Sequence, residues 1–141
     1  MPTFFQHFEA RLASRGQLDS TAPGGTHNWL WVRHAHASGD GGVDGVDADV
    51  ALLALADMPP PAILPLLPTG SITKFPNVSS LTWQVNFLCD VLPLAHPGGW
   101  WLIQQRIEHL HNGYSSCDMA LWGADPARPP VVSRQQIAVY M

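Results

Sequence analysis

The chain is poor in positive charge. Of its 141 residues seven are basic, Lys74 is the single lysine, and no two basic residues are adjacent. A partner gripped through phosphate neutralisation needs a basic face, so nucleic acid is excluded as the expected ligand. Charged residues of both signs make up only 13% against 46% hydrophobic, which excludes a disordered or tail-like chain. Cysteine is scarce as well: Cys89 and Cys117 form no CxxC pair, so neither a disulfide framework nor a zinc knuckle is expected. No apolar run is long enough to cross a bilayer, because Asp57 and three prolines interrupt the longest one. Glu9 and Arg11 fall where a secretory signal would need an apolar core. The expectation is a cytoplasmic protein that binds neither nucleic acid nor membrane, with residues 1–141 forming one domain.

What remains is a pattern of strands around one helix. "HNWLWVRHAH" alternates, with Trp29, Trp31 and Arg33 on one side and Leu30, Val32 and His34 on the other. "TFFQHFEARLAS" has the aromatic bias of a strand, and a Gly/Pro/Ser/Thr loop separates the two. Val50 to Met58 reads as a helix, opened by Asp47 or Asp49 and ended by Pro59, Pro60 and Pro61. It is apolar on every side except at Asp57, which marks a buried helix rather than a surface one. "NVSSLTWQVNFL" sets Leu81, Trp83, Val85 and Phe87 against Ser80, Thr82, Gln84 and Asn86. "GWWLIQQRIEHLHNG" places Trp101, Ile103 and Ile107 on one face, and Asn112-Gly113 turns it into "YSSCDMALWGAD". "VVSRQQIAVYM" closes the chain, with Val131, Ser133, Gln135, Ile137 and Val139 on a common face. A helix apolar all round must be wrapped by a curved sheet, so the expected class is α+β.

Several features invite other chemistry. "DGGVDGVDADVA", from Asp40, looks like a calcium loop, but Gly42 holds its third position and Ala51 its twelfth, where a bidentate Glu is required. His34 with His36, and His109 with His111, are two H-x-H pairs; on a strand each pair points one way and could offer two metal ligands. Six tryptophans could form a carbohydrate platform, although Trp83 and Trp101 fall on faces read as core. Asp57 is either a helix-end residue facing solvent or a carboxylate in a reaction site. An ionised group out of water costs several kcal/mol unless it is paired, an order-of-magnitude figure.

The order of "ALLALADMPPPAI", "SSLTWQVNFL", "GWWLIQQRIEHLHNGYSSCDMALWG" and "SRQQIAVY" resembles the C-terminal half of the acyl-CoA thioesterase II family. Its members are double hot-dogs, so the resemblance implies a hot-dog fold: an antiparallel curved sheet around a central apolar helix. It also implies hydrolysis of acyl-CoA or a related acyl thioester by a site of Asp, a hydroxyl residue and Gln, with no cofactor and no metal. The Asp matches Asp57 and the hydroxyl residue matches Ser80, where the family more often has Thr. The Gln matches Gln135 or Gln136; alternation favours Gln135, whose face carries Ile137 and Val139. The family's N-terminal hot-dog has no counterpart in these residues, so a homodimer or a dimer of dimers is expected to restore the two-domain unit. An acyl-binding or assembly domain without catalysis is the alternative. Arg106, Arg128 and Arg134 make a thin patch for a nucleotide.

Overall fold

The computed structural model describes residues 3–15, 27–59, 77–90 and 93–140. A 3₁₀ turn at Thr3–His7 leads into β1 (Phe8–Arg15), β2 (His27–His34), α1 (Ala48–Asp57), β3 (Asn77–Phe87), β4 (Trp101–His111), β5 (Tyr114–Trp122) and β6 (Val131–Tyr140). The six strands form one sheet in the order β1-β2-β4-β5-β6-β3, and every neighbouring pair is antiparallel. The loop over residues 16–26 and the apolar stretch from Pro60 through Lys74 to Pro76 lie outside the described residues.

Two turns explain why these strands meet. Asn112 (φ 49°) and Gly113 (φ 78°) both occupy the left-handed region, as a two-residue hairpin turn demands, and set His111 opposite Tyr114. Gly41 (φ 88°) lets the β2–α1 loop press against the core: a Cβ there would come within 2.5 Å of the Ala95 Cβ. Asp40 closes that loop by accepting hydrogen bonds from the Ser38 hydroxyl and, at 3.0 Å, the Gly42 N–H. These bonds, the Ser38 hydroxyl first, hold the Asp40 carboxyl below its ordinary value. The calcium-like sequence is therefore a turn folded onto its own aspartate.

Residues directly opposite across antiparallel strands point to the same side of the sheet, so the register defines two faces. One row across the inner face is apolar throughout: Leu12, Leu30, Ile103, Leu121, Val131 and Phe87. α1 covers this part of the sheet. Leu52, Leu55, Ala56 and Met58 pack with Val32, Trp101, Ile103, Met119, Leu121 and Val131 into the core. Leu55, Ile103 and Leu121 are fully buried, each contributing roughly 1.5–3 kcal/mol of transfer free energy. His34 Nε2–H donates to the Ala51 carbonyl at 2.9 Å and ties the helix to β2.

The helix differs from its expectation in one respect. Ala51, Leu52, Leu55 and Ala56 form a buried stripe, but Val50 on the far side is 51% exposed. The apolar composition is thus more than one sheet face uses, and Val50 on the far side of α1 stays exposed.

Candidate active site

A bulge in β3 builds the most specific polar contact on the inner face. The register runs Phe87↔Val131, Val85↔Ser133, Trp83↔Gln135 and Thr82↔Gln136, then shifts so that Ser80 faces Ile137. Leu81 is the extra residue. Strict alternation would leave Ser80 beside Thr82 on the outer face. The bulge instead turns Ser80 inward, onto the side that carries Trp83, Val85 and Gln135. Gln135 Nε2 donates to Ser80 Oγ at 2.7 Å. Gln136 points the other way and accepts from Thr82 Oγ1 at 3.1 Å. Gln135 is half-buried and Gln136 exposed, in line with the faces expected from alternation in β6.

The direction of the Gln135–Ser80 bond has a chemical consequence. Ser80 Oγ receives the amide proton, so its own O–H remains to donate to a third group. Gln135 keeps its carbonyl oxygen as an acceptor. The pair can therefore hold an acceptor at Ser80 and a donor such as water at Gln135 together.

Asp57 is the last residue of α1 and is exposed, while its neighbours Ala56 and Met58 are buried. Among the described residues no hydrogen bond or ion pair joins it to Ser80 or Gln135. The structure thus brings together two of the three residues singled out in the sequence and leaves the third at the open helix end.

The inner face beyond α1 carries further polar residues, of which sequence reasoning missed Asn28, Gln105, Ser115 and Cys117. Next to the apolar row lies one of Asn28, Gln105, Met119, Ser133 and Val85; then Ile107, Cys117, Gln135 and Trp83; then Ser115, Ile137 and Ser80. Alternation on β5 would have found Ser115 and Cys117 once Met119 and Leu121 were assigned inward. Burial pushes the Cys117 thiol up to about 11, so it is a neutral thiol near neutral pH and a poor nucleophile.

A family model described as "Acyl-CoA thioesterase C-terminal domain" matches residues 1–139. The chain belongs to this family. Its fold is the hot-dog fold, shared with a protein of unknown function from Alicyclobacillus acidocaldarius, which is 18% identical with a TM-score of 0.66. That match covers 100% of this chain and 48% of the other. The acyl-CoA thioesterase II TesB2 of Mycobacterium marinum is also 18% identical, with a TM-score of 0.61 over 99% of this chain and 52% of its own. The chain thus spans about half the length of these two relatives. A hypothetical thioesterase from Streptococcus pneumoniae, solved with coenzyme A, is 11% identical with a TM-score of 0.59, covering 93% of this chain and 85% of that one. No curated protein sequence matches.

Several other candidate groups singled out in the sequence are engaged by the protein itself. Arg134 makes two bonds to Asp118, at 2.7 and 3.0 Å, and one to Glu108 at 2.7 Å; Arg106 reaches Glu108 at 2.7 Å and Asp118 at 3.2 Å. Arg134 first, then burial against it, sets the balance at Asp118, whose carboxyl is held below its ordinary value. These two arginines are neutralised in place. They border a groove of about 560 Å³ on the outer face, away from Ser80. Trp100 stacks under both Arg11 and Arg33, each 4.6 Å from its ring centroid, and Trp101 is buried in the core. His34 is committed to Ala51, and His36 lies beyond the end of β2. His109 and His111 stand with ring centroids 6.2 Å apart. Among the described residues no three His, Cys, Asp or Glu side chains converge, and no helix is long and apolar enough to cross a membrane.

Proposed function

We propose that the chain hydrolyses acyl-CoA thioesters by direct attack of water. The observation that carries this reading is the Gln135–Ser80 hydrogen bond on the inner face, between the two strand residues that the family resemblance selects. Gln135 Oε1 holds the water, and Asp57 takes its proton as the oxygen bonds to the thioester carbonyl carbon. The Ser80 hydroxyl fixes the Asp57 carboxylate. The tetrahedral oxyanion collapses, the C–S bond breaks, and the sulfur leaves as the coenzyme A thiolate, which takes up a proton. The products are a carboxylic acid and free thiol. Gln136, turned outward to Thr82, has no part in this scheme.

The reading needs Asp57 enclosed, and a second copy of the chain supplies the enclosure. Among the described residues β3 is an edge strand with one side of its backbone unpaired. It exposes Val78, Leu81, Trp83 and Phe87, an apolar edge beside the site. We assign this edge, together with the open side of α1, to a homodimer contact, with pairs of dimers as the larger form. Cys89 and Cys117 are both free thiols, consistent with a reducing cytoplasm. The exposure of Asp57 favours one other reading, a domain that binds acyl groups without hydrolysing them. A thiol-release assay on the isolated chain across acyl-CoAs separates the two: release abolished in Asp57→Asn supports hydrolysis, whereas binding without release supports the alternative.

A further inference from the structure

The groove of about 560 Å³ on the outer face has a chemistry that hydrolysis at Ser80 and Gln135 does not use. The strand register lays it out in rows that cross the sheet. Its floor is the row Gln104, Ala120, Val132 and Asn86, one residue each from β4, β5, β6 and β3. Three strand spacings separate Gln104 from Asn86, about 14 Å. One wall is the row Arg106, Asp118, Arg134 and Gln84. On the other side the next row holds Trp31, Leu102 and Trp122. The floor is open to a ligand: Gln104, Ala120 and Val132 are half-buried and Asn86 is exposed.

Much of the hydrogen-bonding capacity here is unspent. Among the described residues the side-chain amides of Gln84, Asn86 and Gln104 make no hydrogen bond. Arg106 bonds through Nη2 and Arg134 through Nε and Nη2, which leaves an Nη1 amino group on each. Asp118 and Glu108 already cancel the two guanidinium charges, so a charged ligand gains no net attraction. The groove thus offers amides at both ends, guanidinium donors along one wall, and an apolar middle. A hydroxyl both donates and accepts, so a neutral ligand with several hydroxyls answers all of these groups. We infer that the outer groove binds a neutral carbohydrate of di- or trisaccharide size. Its hydroxyls pair with Gln104 and Asn86 at the ends and accept from the Nη1 groups, while a C–H face of the sugar rests on Ala120 and Val132. A second copy of the chain fits this face less well. A two-fold contact sets groove against groove and leaves a void where stable interfaces are close-packed. The sheet separates the groove from Ser80 and Gln135, so the inference stands apart from the hydrolytic reading.

The test titrates the full chain by calorimetry with neutral di- and trisaccharides of glucose, galactose, mannose and N-acetylglucosamine. At least one should bind with a Kd on the order of 1 mM or tighter. Asn86→Ala and Gln104→Ala should each weaken it about 3- to 10-fold, the range for one lost hydrogen bond. Ala120→Phe fills the floor and should abolish binding; circular dichroism checks that each variant folds. Raising salt from about 0.1 M to about 0.5 M should leave the Kd unchanged, because no net charge is paired. Failure of every sugar to bind up to about 10 mM overturns the inference. So does binding that all three substitutions leave intact, or binding of adenosine but of no sugar. A mass by light scattering that falls from the wild type to Ala120→Phe assigns this face to a second copy and overturns it as well. Each of these results leaves the thioesterase reading untouched.

Discussion

Gln135 donates to Ser80 at 2.7 Å although neither is the other's cross-strand partner: Gln135 faces Trp83, and Ser80 faces Ile137. The bulge makes the contact possible by absorbing Leu81, so that Ser80 takes the inward face. The site therefore depends on a backbone irregularity as much as on the residues that form it.

Deleting Leu81 should remove the bulge and leave Ser80 directly before Thr82, opposite Ile137 and still on the inner face. The variant is expected to keep its strand content by circular dichroism and to keep thiol release within about tenfold, because Ser80 still reaches Gln135. A crystal structure of the variant with Ser80 turned to the outer face would contradict this.

Substitution within the proposed site should separate the roles. Asp57→Asn preserves shape and should lower hydrolysis on the order of 100-fold or more, the usual scale for a positioned base. Ser80→Ala should cost less, since the hydroxyl orients the carboxylate without taking a proton. Gln136→Ala, on the outer face, should leave kcat within about twofold, a difference that steady-state thiol release resolves.

Cys117 should make stability fall at alkaline pH. Its folded-state value of about 11 lies above the ordinary 9.0, so the folded chain holds this proton where the unfolded chain has lost it. The corresponding stability is complete below about pH 9 and disappears as pH rises towards 11, amounting to roughly 2–3 kcal/mol. Urea titrations at pH 7 and pH 10.5 should show this loss in the wild type and a smaller one in Cys117→Ala.

Placing charge on the β3 edge should abolish the proposed dimer. Val78→Lys with Phe87→Lys adds two cations to an exposed edge that carries no lysine. Light scattering should give a monomer with unchanged far-UV dichroism, and hydrolysis should fall with the dimer.

Truncating the helix contact should weaken the whole domain. Leu55 is fully buried between α1 and the sheet, so Leu55→Ala should cost about 2–5 kcal/mol in denaturant unfolding. Val50→Ala, on the exposed side of the helix, should cost well under half of that.

Local sequence determined the elements of this protein. Asn112-Gly113 specifies its hairpin, the Val50–Met58 composition specifies a helix that must be covered, and the alternation in β6 distinguishes Gln135 from Gln136, because each of these is settled by bonds and periods a few residues long. The outcome at Ser80 was not legible in that way. Alternation alone assigns it to the outer face, and only pairing with β6, some 55 positions away, absorbs Leu81 as a bulge and turns Ser80 towards Gln135. The burial of Gln105 Oε1 and Ser115 Oγ without a hydrogen-bond partner was equally invisible, because a polar residue on a strand shows no lack of a partner until the rest of the sheet and the helix have closed over it. Helix composition gave no sign that Val50 would stay exposed while Leu55 was buried; how much of α1 one sheet can cover depends on the sheet's curvature and edges, which exist only once six strands have assembled in the order β1-β2-β4-β5-β6-β3.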